Sequence, residues 1–128
     1  MAKYLKHYWK KNGSWLTTSN EVEQHHPEAD YPGLGVKVWM HDSDGIDVCL
    51  SEVPDSTSIS TITVGSKKAV MELTETQFNS VKTPLDEASV LREEARTAED
   101  GGDTDTAATK NTAAAAKETE AQNALNAL

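Results

Sequence analysis

Apolar and polar residues alternate on both sides of Asp44-Gly45 in the stretch GVKVWMHDSDGIDVCLSEV, residues 35–53. A period of two is typical of strands with one buried face, and Gly45 can adopt the positive φ that hairpin turns require. We therefore predict an antiparallel hairpin with the loop Ser43-Asp44-Gly45. Directly opposed residues of a strand pair share a face of the sheet, and this places Val36, Val38 and Met40 on the buried face. The predicted pairs are Met40 with Val48, Val38 with Leu50, Trp39 with Cys49, His41 with Asp47 and Lys37 with Ser51.

Two further hairpins follow from the same kind of pattern. Residues 3–18 contain Asn12-Gly13, the preferred pair for a two-residue turn; this turn would place Trp9 opposite Leu16. Residues 58–73 are rich in threonine, isoleucine and valine around Gly65-Ser66, which favours a third strand pair. Between them, the prolines of residues 20–34 favour an extended loop over a helix.

The helical part begins at Thr74, where Thr74 and Gln77 have the spacing of a capping box. Thr83-Pro84 then predicts the start of a second helix, because proline is favoured at a first helical position. Gly101-Gly102 predicts its end, and Asp103 or Thr104 can cap a last helix that reaches the C-terminus.

These elements predict an α+β fold, with a small antiparallel β-meander or hairpin domain followed by a C-terminal helical hairpin. We place the β domain, with a short helix, at residues 1–82 and an alanine-rich helical extension at residues 83–128. The extension repeats apolar residues, mostly alanine, every seven positions, at Ala107, Ala114, Ala121 and Leu128. Such a narrow seam buries little apolar area, so we expect this segment to become fully ordered only against neighbouring subunits or a partner.

Charge is distributed unevenly along the 128 residues, whose formal net charge is -9. Residues 1–20 contain four lysines and no acid, so the remaining 108 residues carry -13. This dipole indicates either oriented contacts or simply a solvated basic edge strand. The acidic balance disfavours non-specific binding to DNA or to anionic membranes.

Cys49 is the single cysteine, which excludes an intrachain disulfide and favours a buried thiol on a strand. The N-terminus MAKYLKHYWKKNG has no apolar run typical of a signal peptide, and no segment approaches the length of a membrane span. The expected location is therefore the cytosol or a particle assembled there, with no membrane partner.

No motif for catalysis or metal binding emerges. The loop around Asp42 and Asp44 has its glycine two positions too early for an EF-hand, and the four histidines lack the spacing that places two ligands on one rigid element. We expect no enzymatic activity, no catalytic residue, no metal and no cofactor.

Candidate partner-binding residues fall in two regions. The first hairpin combines aromatic and basic side chains that could stack on nucleobases, although the net charge makes nucleic acid an unfavourable partner. The helical extension supplies small and aliphatic side chains that could pack against other subunits. The candidates are Tyr4, Tyr8, Lys10, Trp15, Leu91, Ala114, Ala121 and Leu125.

Three stretches together resemble the short accessory virion structural proteins of tailed phages, including those of marine cyanobacteria. They are the β start KYLKHYWKKNGSWL, the helix LTETQFNSV after a hairpin, and the acidic, alanine-rich ending EARTAEDGGDTDTAATKNTAAAAKETEAQNAL. The resemblance implies a capsid decoration, neck or tail component in a virion, assembled in the host cytoplasm, present in many copies as a homo-oligomer or within a larger assembly.

Three functional classes are compatible with these observations. A virion structural protein would act through contacts with other protein subunits. A small cytosolic adaptor or inhibitor would bind one host protein. A single-strand nucleic-acid binder would show affinity that falls steeply with salt.

Overall fold

A computed structural model describes residues 2–9, 15–16, 31–43, 45–64 and 67–128. It confirms the predicted α+β class: an antiparallel sheet precedes two helices that form a hairpin. The chain divides into two compact units, residues 1–78 and 79–128, and the boundary predicted at 82/83 stays a prediction. The elements are β1 (Lys3–Trp9), β2 (Trp15–Leu16), β3 (Gly35–His41), β4 (Asp47–Val53), β5 (Ile62–Val64), β6 (Lys67–Leu73), α1 (Glu75–Asp100) and α2 (Thr104–Asn126).

Strand β1 lies in the middle of the sheet, whose order is β3-β4-β1-β6-β5, with β2 also paired to β1. All seven residues of β1 pair with β4, and Tyr4 to His7 pair with β6 on the other side. Consecutive side chains of β1 are therefore buried on both faces, including Leu5, Lys6 and His7. The interpretation of the N-terminal lysines as a solvated basic edge is thus wrong for this strand, since Lys6 is only 5% exposed.

The β3–β4 hairpin has the predicted register from Val38 to His41, opposite Leu50 to Asp47. Gly45 has the expected positive φ, 79°. A bulge between Val36 and Val38 changes the pairing beyond this point, so that Ser51 lies opposite Val36 rather than the predicted Lys37. By the parity of opposed residues, Val36 then shares a face with Trp39 instead of with Val38.

The first hairpin differs from its prediction by one residue. Leu16 pairs with Tyr8 and Trp15 with Trp9, whereas the Asn12-Gly13 turn would place Leu16 opposite Trp9. The turn itself lies outside the described residues. The pairing of β1 with β4 extends over seven residues, whereas its pairing with β2 extends over two.

The third strand pair is confirmed, with Ile62 opposite Val70 and Val64 opposite Lys67. Its first strand is shorter than predicted, and Gly65-Ser66 lies outside the described residues. In the segment that precedes β3, Tyr31 belongs to the buried core and Leu34 packs against it. One face of the sheet holds the cluster of Leu5, Tyr31, Val53 and Val70, with Leu34, Ile59 and Ile62 packed against it.

The capping box at the start of α1 is confirmed. Gln77 N donates to Thr74 Oγ1 at 3.1 Å, and Thr74 N donates to Gln77 Oε1 at 2.9 Å. One turn later, Phe78 stacks on Tyr4 with ring centroids 4.1 Å apart. The helix start is therefore fixed both by hydrogen bonds and by an aromatic contact within residues 1–78.

The predicted helix break at Thr83-Pro84 is wrong, because α1 runs continuously from Glu75 to Asp100 with Pro84 inside it. Proline lacks the N–H that would bond to the carbonyl four residues earlier, and it commonly costs about 3 kcal/mol within a helix. Pro84 is nevertheless buried. We infer that packing of the surrounding apolar residues outweighs the lost hydrogen bond.

Residues 79–128 form the predicted antiparallel helical hairpin. Gly102 has φ 84° and donates to Glu99 O at 2.9 Å, while Asp103 N donates to Ala98 O at 2.9 Å, which together close the end of α1. Asp103 then caps α2 by accepting from Thr106 N at 3.0 Å. A hydrogen bond from the Thr106 hydroxyl lowers the pKa of Asp103, and the bond from Thr106 N lowers it further.

A heptad of small residues forms the seam of this hairpin. Five alanines are 5% exposed or less, at positions spaced by seven on each helix: Ala88, Ala95, Ala107, Ala114 and Ala121. Beside the seam, Glu87 pairs with Lys117 at 3.5 Å and Glu94 with Lys110 at 3.4 Å. Glu94 lies seven residues after Glu87, whereas its partner Lys110 lies seven residues before Lys117. The ion pairs therefore have the same antiparallel register as the alanines.

Candidate interaction surface

The structure describes the side chains of two of the predicted partner-binding residues of the first hairpin, Tyr4 and Tyr8, and both are at least partly buried. Tyr8 is 5% exposed, and Tyr4 is half-buried against Phe78. Lys10 and the side chain of Trp15 lie outside the described residues. The two described side chains, Tyr4 and Tyr8, do not form an exposed surface, and the role of all four residues in binding stays a prediction.

The predicted residues of the helical extension are mostly internal as well. Ala114 and Ala121 are fully buried and Leu125 is 3% exposed, so the hairpin covers them with its own residues. Leu91 is half-buried. Partner contacts at these four positions stay a prediction. Leu91 is the only one of the four whose side chain is partly exposed to solvent.

Next to Leu91, Val90 is the most exposed large apolar side chain in the described part of the chain, at 59%. It follows the seam residue Ala88 by two positions, which is about 200° around a helix with 3.6 residues per turn. Val90 therefore projects from the side of α1 opposite the alanine seam, where the hairpin itself cannot bury it.

All four helical neighbours of Val90, at three and four residues before and after it, are acidic. We call Val90, these four carboxylates and the adjoining Leu91 and Ala98 the Val90 surface. The side chains of the four acids are 50–67% exposed. They are Asp86, Glu87, Glu93 and Glu94.

Each of these carboxylates has a cation of the same chain beside it. Glu93 pairs with Arg96 at 2.8 Å, and Asp86 pairs with Lys82, in addition to the two interhelical pairs described above. Such exposed pairs commonly contribute about 0–1 kcal/mol and weaken with salt. The carboxylates therefore remain able to bind further cations from solution or from another molecule.

Sequence reasoning singled out Leu91 but missed Val90, because Val90 does not belong to the seam pattern. The signal was present in the sequence, since an apolar residue surrounded by acids at all four neighbouring helix positions forms no part of an intramolecular apolar stripe. Valine also has lower helix propensity than alanine or leucine. Its place on the outer side of α1 is therefore not explained by helix formation.

A second exposed apolar pair lies on the sheet. Trp39 is 51% and Val36 40% exposed, and the bulge in β3 places both on one face. His41, on the same strand, pairs with Asp47 at 2.8 Å. An open cleft of about 500 Å³ lies near the start of β3 and is lined in part by Lys37 and Glu52, whose Nζ and Oε2 are 3.8 Å apart.

The sheet also buries a histidine, a serine and a cysteine beside one another. His7 Nε2 is 2.5 Å from Ser51 Oγ, and Cys49 lies opposite His7 in the β1–β4 register. All three are 0% exposed. Burial lowers the pKa of His7 to about 3, and burial followed by the charge of Asp47 raises the pKa of Cys49 to about 12.

These three side chains therefore hold no accessible nucleophile. At neutral pH the His7 imidazole is uncharged and the Cys49 thiol is protonated, and no substrate can reach either group without opening the sheet. We interpret the His7–Ser51 hydrogen bond as a structural contact between the two central strands. This agrees with the prediction that Cys49 is a buried thiol.

Within residues 2–9, 31–43, 45–64 and 67–128, no group of three or more His, Cys, Asp or Glu side chains is arranged to hold a metal ion. Neither α1 nor α2 is apolar enough along its length to cross a membrane.

Comparisons of the chain with family models, curated proteins and solved structures found no match, and function is therefore inferred from its own residues.

Proposed function

We propose that this protein is a non-enzymatic structural or assembly component of a phage particle, a decoration, neck or tail accessory protein that acts by binding other protein subunits. The observation that carries the proposal is the Val90 surface. Val90 is 59% exposed on a helix whose own seam is already closed, so the helical hairpin leaves this side chain available to another molecule.

Charge and geometry of the surface favour protein over other partners. The unit that carries it, residues 79–128, has ten acidic and five basic residues, and its net charge of -5 disfavours the phosphates of nucleic acids. Interfaces combine a small apolar centre with a polar rim, and the Val90 surface has this arrangement. The virion, assembled in the host cytoplasm, is the location that follows from this proposal.

Co-sedimentation tests the proposal. The tagged protein is expressed during phage infection, intact particles are separated on a density gradient, and the protein is quantified in the particle fraction by mass spectrometry. We expect it with the capsid or tail proteins in a fixed ratio set by the particle's symmetry. Absence from particles, together with recovery in a soluble one-to-one complex with a host protein or with nucleic acid, would replace this proposal by the adaptor or the nucleic-acid binder.

A further inference from the structure

We propose that His7 makes the sheet unit, residues 1–78, an acid-sensitive switch: acidification opens the paired central strands, while the helical hairpin, residues 79–128, keeps the structure that it has at neutral pH. Position provides the first argument. His7 lies on β1, the middle strand, and is paired with Cys49 of β4 on one side and with Val70 of β6 on the other. All three residues are at most 1% exposed. Water therefore reaches the imidazole when these strand pairs open.

The surroundings of the imidazole provide the second argument. Its Nε2 lies 2.5 Å from Ser51 Oγ, and a hydroxyl carries no charge that would stabilise an imidazolium as a carboxylate does. The described segments that pack on this face of the sheet contribute Tyr31, Leu34 and Ile59. Only the tyrosine among them is titratable, and its phenol is neutral at neutral and acidic pH.

The charged groups of the described strands lie to either side of His7 rather than opposite it. Asp47 is two residues, about 7 Å, along β4 from Cys49 and already pairs with His41. On β6, the two charged residues that flank Val70 are exposed. The charged or titratable side chains on or beside this face are Lys3, His41, Asp47, Cys49, Lys68 and Glu72.

Burial is accordingly the cause that lowers the pKa of His7 from 6.5 to about 3. The folded sheet excludes a proton that the opened strands bind, so the stability that this contributes is present above pH 6.5 and is lost as the pH falls toward 3. Each pH unit in this interval multiplies the equilibrium constant for opening by up to about ten. We therefore expect about a hundredfold increase at pH 4.5.

The composition of the helical hairpin explains why acid acts on one unit only. Residues 79–128 contain no histidine, and their buried side chains are alanine, valine, leucine and proline, none of which titrates. Their acids are exposed, so the ion pairs contribute little at any pH, and protonation reduces the repulsion within a unit of net charge -5. Asp103, whose pKa is lowered by the bonds from Thr106, keeps its capping charge to a lower pH than an ordinary aspartate.

Hydrogen exchange followed by mass spectrometry tests the switch on the full-length protein, because each peptide reports the opening of its own segment. Protection factors are measured between pH 7 and pH 4.5, since they correct for the pH dependence of the exchange chemistry itself. We expect protection of β1 and β4 to fall about a hundredfold and protection of α2 to stay constant. Unchanged protection of the sheet, or equal decreases in both units, would overturn the proposal.

Substitutions assign the effect to one imidazole. His7→Gln and His7→Leu remove the buried titrating ring, whereas His41→Gln removes a ring that is 68% exposed on β3 and is the matched control. We expect the His41 variant to follow the wild-type protein and the two His7 variants to lose the pH dependence of sheet protection. The same dependence in all four proteins would show that other groups drive the opening.

A substitution at a buried site can prevent folding, so the wild-type ring is also followed directly by NMR. The Cε1–H resonance of His7 should keep the chemical shift of a neutral imidazole for as long as the sheet is closed. Protonation of His7 above pH 5 in a sheet that retains its protection would contradict the proposal. Neither measurement involves phage particles, so the switch and the proposed assembly role stand or fail separately.

Discussion

Val36 and Val38 carry the same side chain two positions apart on β3, yet they are 40% and 4% exposed. The bulge between them places the two side chains on opposite faces of the sheet, with Val38 opposite Leu50. We predict that Val38→Asp lowers the free energy of unfolding by several kcal/mol, since a buried carboxylate must be desolvated or protonated. Urea unfolding followed by tryptophan fluorescence measures this.

Val36→Asp is the matched control, because it makes the same chemical change on the same strand. We expect a small effect there, within the range usual for exposed sites. Equal losses of stability at the two positions would mean that the bulge does not divide their faces.

His7 makes stability depend on pH. Burial lowers its pKa from 6.5 to about 3, so the unfolded chain binds a proton that the folded sheet excludes. The resulting stability is fully present above pH 6.5 and is lost as the pH falls toward 3, with a slope of up to about 1.4 kcal/mol per pH unit.

Urea midpoints between pH 7 and pH 4 test this. Because carboxylates also titrate in this interval, His7→Gln serves as the control, and the difference between the two profiles isolates the imidazole. We expect the wild-type protein to lose stability more steeply than the variant as the pH is lowered. Parallel profiles would contradict a neutral, buried His7.

At the scale of the element, the helical hairpin depends on the small size of its seam residues. Ala114 is fully buried, whereas its neighbour Ala115 is exposed. We predict that Ala114→Leu destabilises the hairpin by about 1–3 kcal/mol because the added methyl groups have no space. Thermal melting followed by circular dichroism at 222 nm measures the loss.

Ala115→Leu adds the same atoms on the solvent side of α2 and should hardly change the melting temperature. Two equal decreases would indicate that the alanine seam is not closely packed. The expectation that this hairpin becomes fully ordered only against neighbours stays a prediction, for which hydrogen exchange on the isolated protein is the direct measurement.

Elements with a local signature could be predicted, and those set by distant residues could not. The Thr74–Gln77 capping box follows from residues three positions apart, and the Val38–Leu50 pairing follows from one continuous stretch, residues 35–53. The bulge at Val36 has no signature of its own, and the central position of β1 depends on pairing with residues 38 to 69 positions away. Pro84 misled the helix prediction because the local cost of proline was outweighed by packing.

The candidate site follows the same division. Leu91 was found because it lies three residues after Ala88 and four before Ala95, which is the spacing of one helix face. Val90 was missed because it falls outside this spacing. Ala114, Ala121 and Leu125 have the small, regular pattern of an interface, and the chain uses it to pack its own two helices. Sequence periodicity indicates that a face is buried, but not whether the same chain or another one buries it.

For the whole molecule, the division into residues 1–78 and 79–128 predicts separate folding. A truncated chain of residues 1–82 keeps the strands, the core around Leu5 and Val53, and the Tyr4–Phe78 stack. We expect it to retain near-ultraviolet circular dichroism and a cooperative melting transition. Loss of both signals would show that the sheet depends on the helical hairpin.

The complete burial of Cys49 has a practical consequence for kinetic measurements. As the single thiol of the chain, with a pKa of about 12, it is shielded from alkylating reagents for as long as β4 remains in the sheet. The rate at which Cys49 is labelled therefore reports how often the central strands open. Cys49 lies on β4, next to β3 and its exposed Trp39. A cysteine introduced at an exposed position such as Ala115 would carry a spectroscopic probe without removal of the native thiol, because the two sites would react on separate timescales.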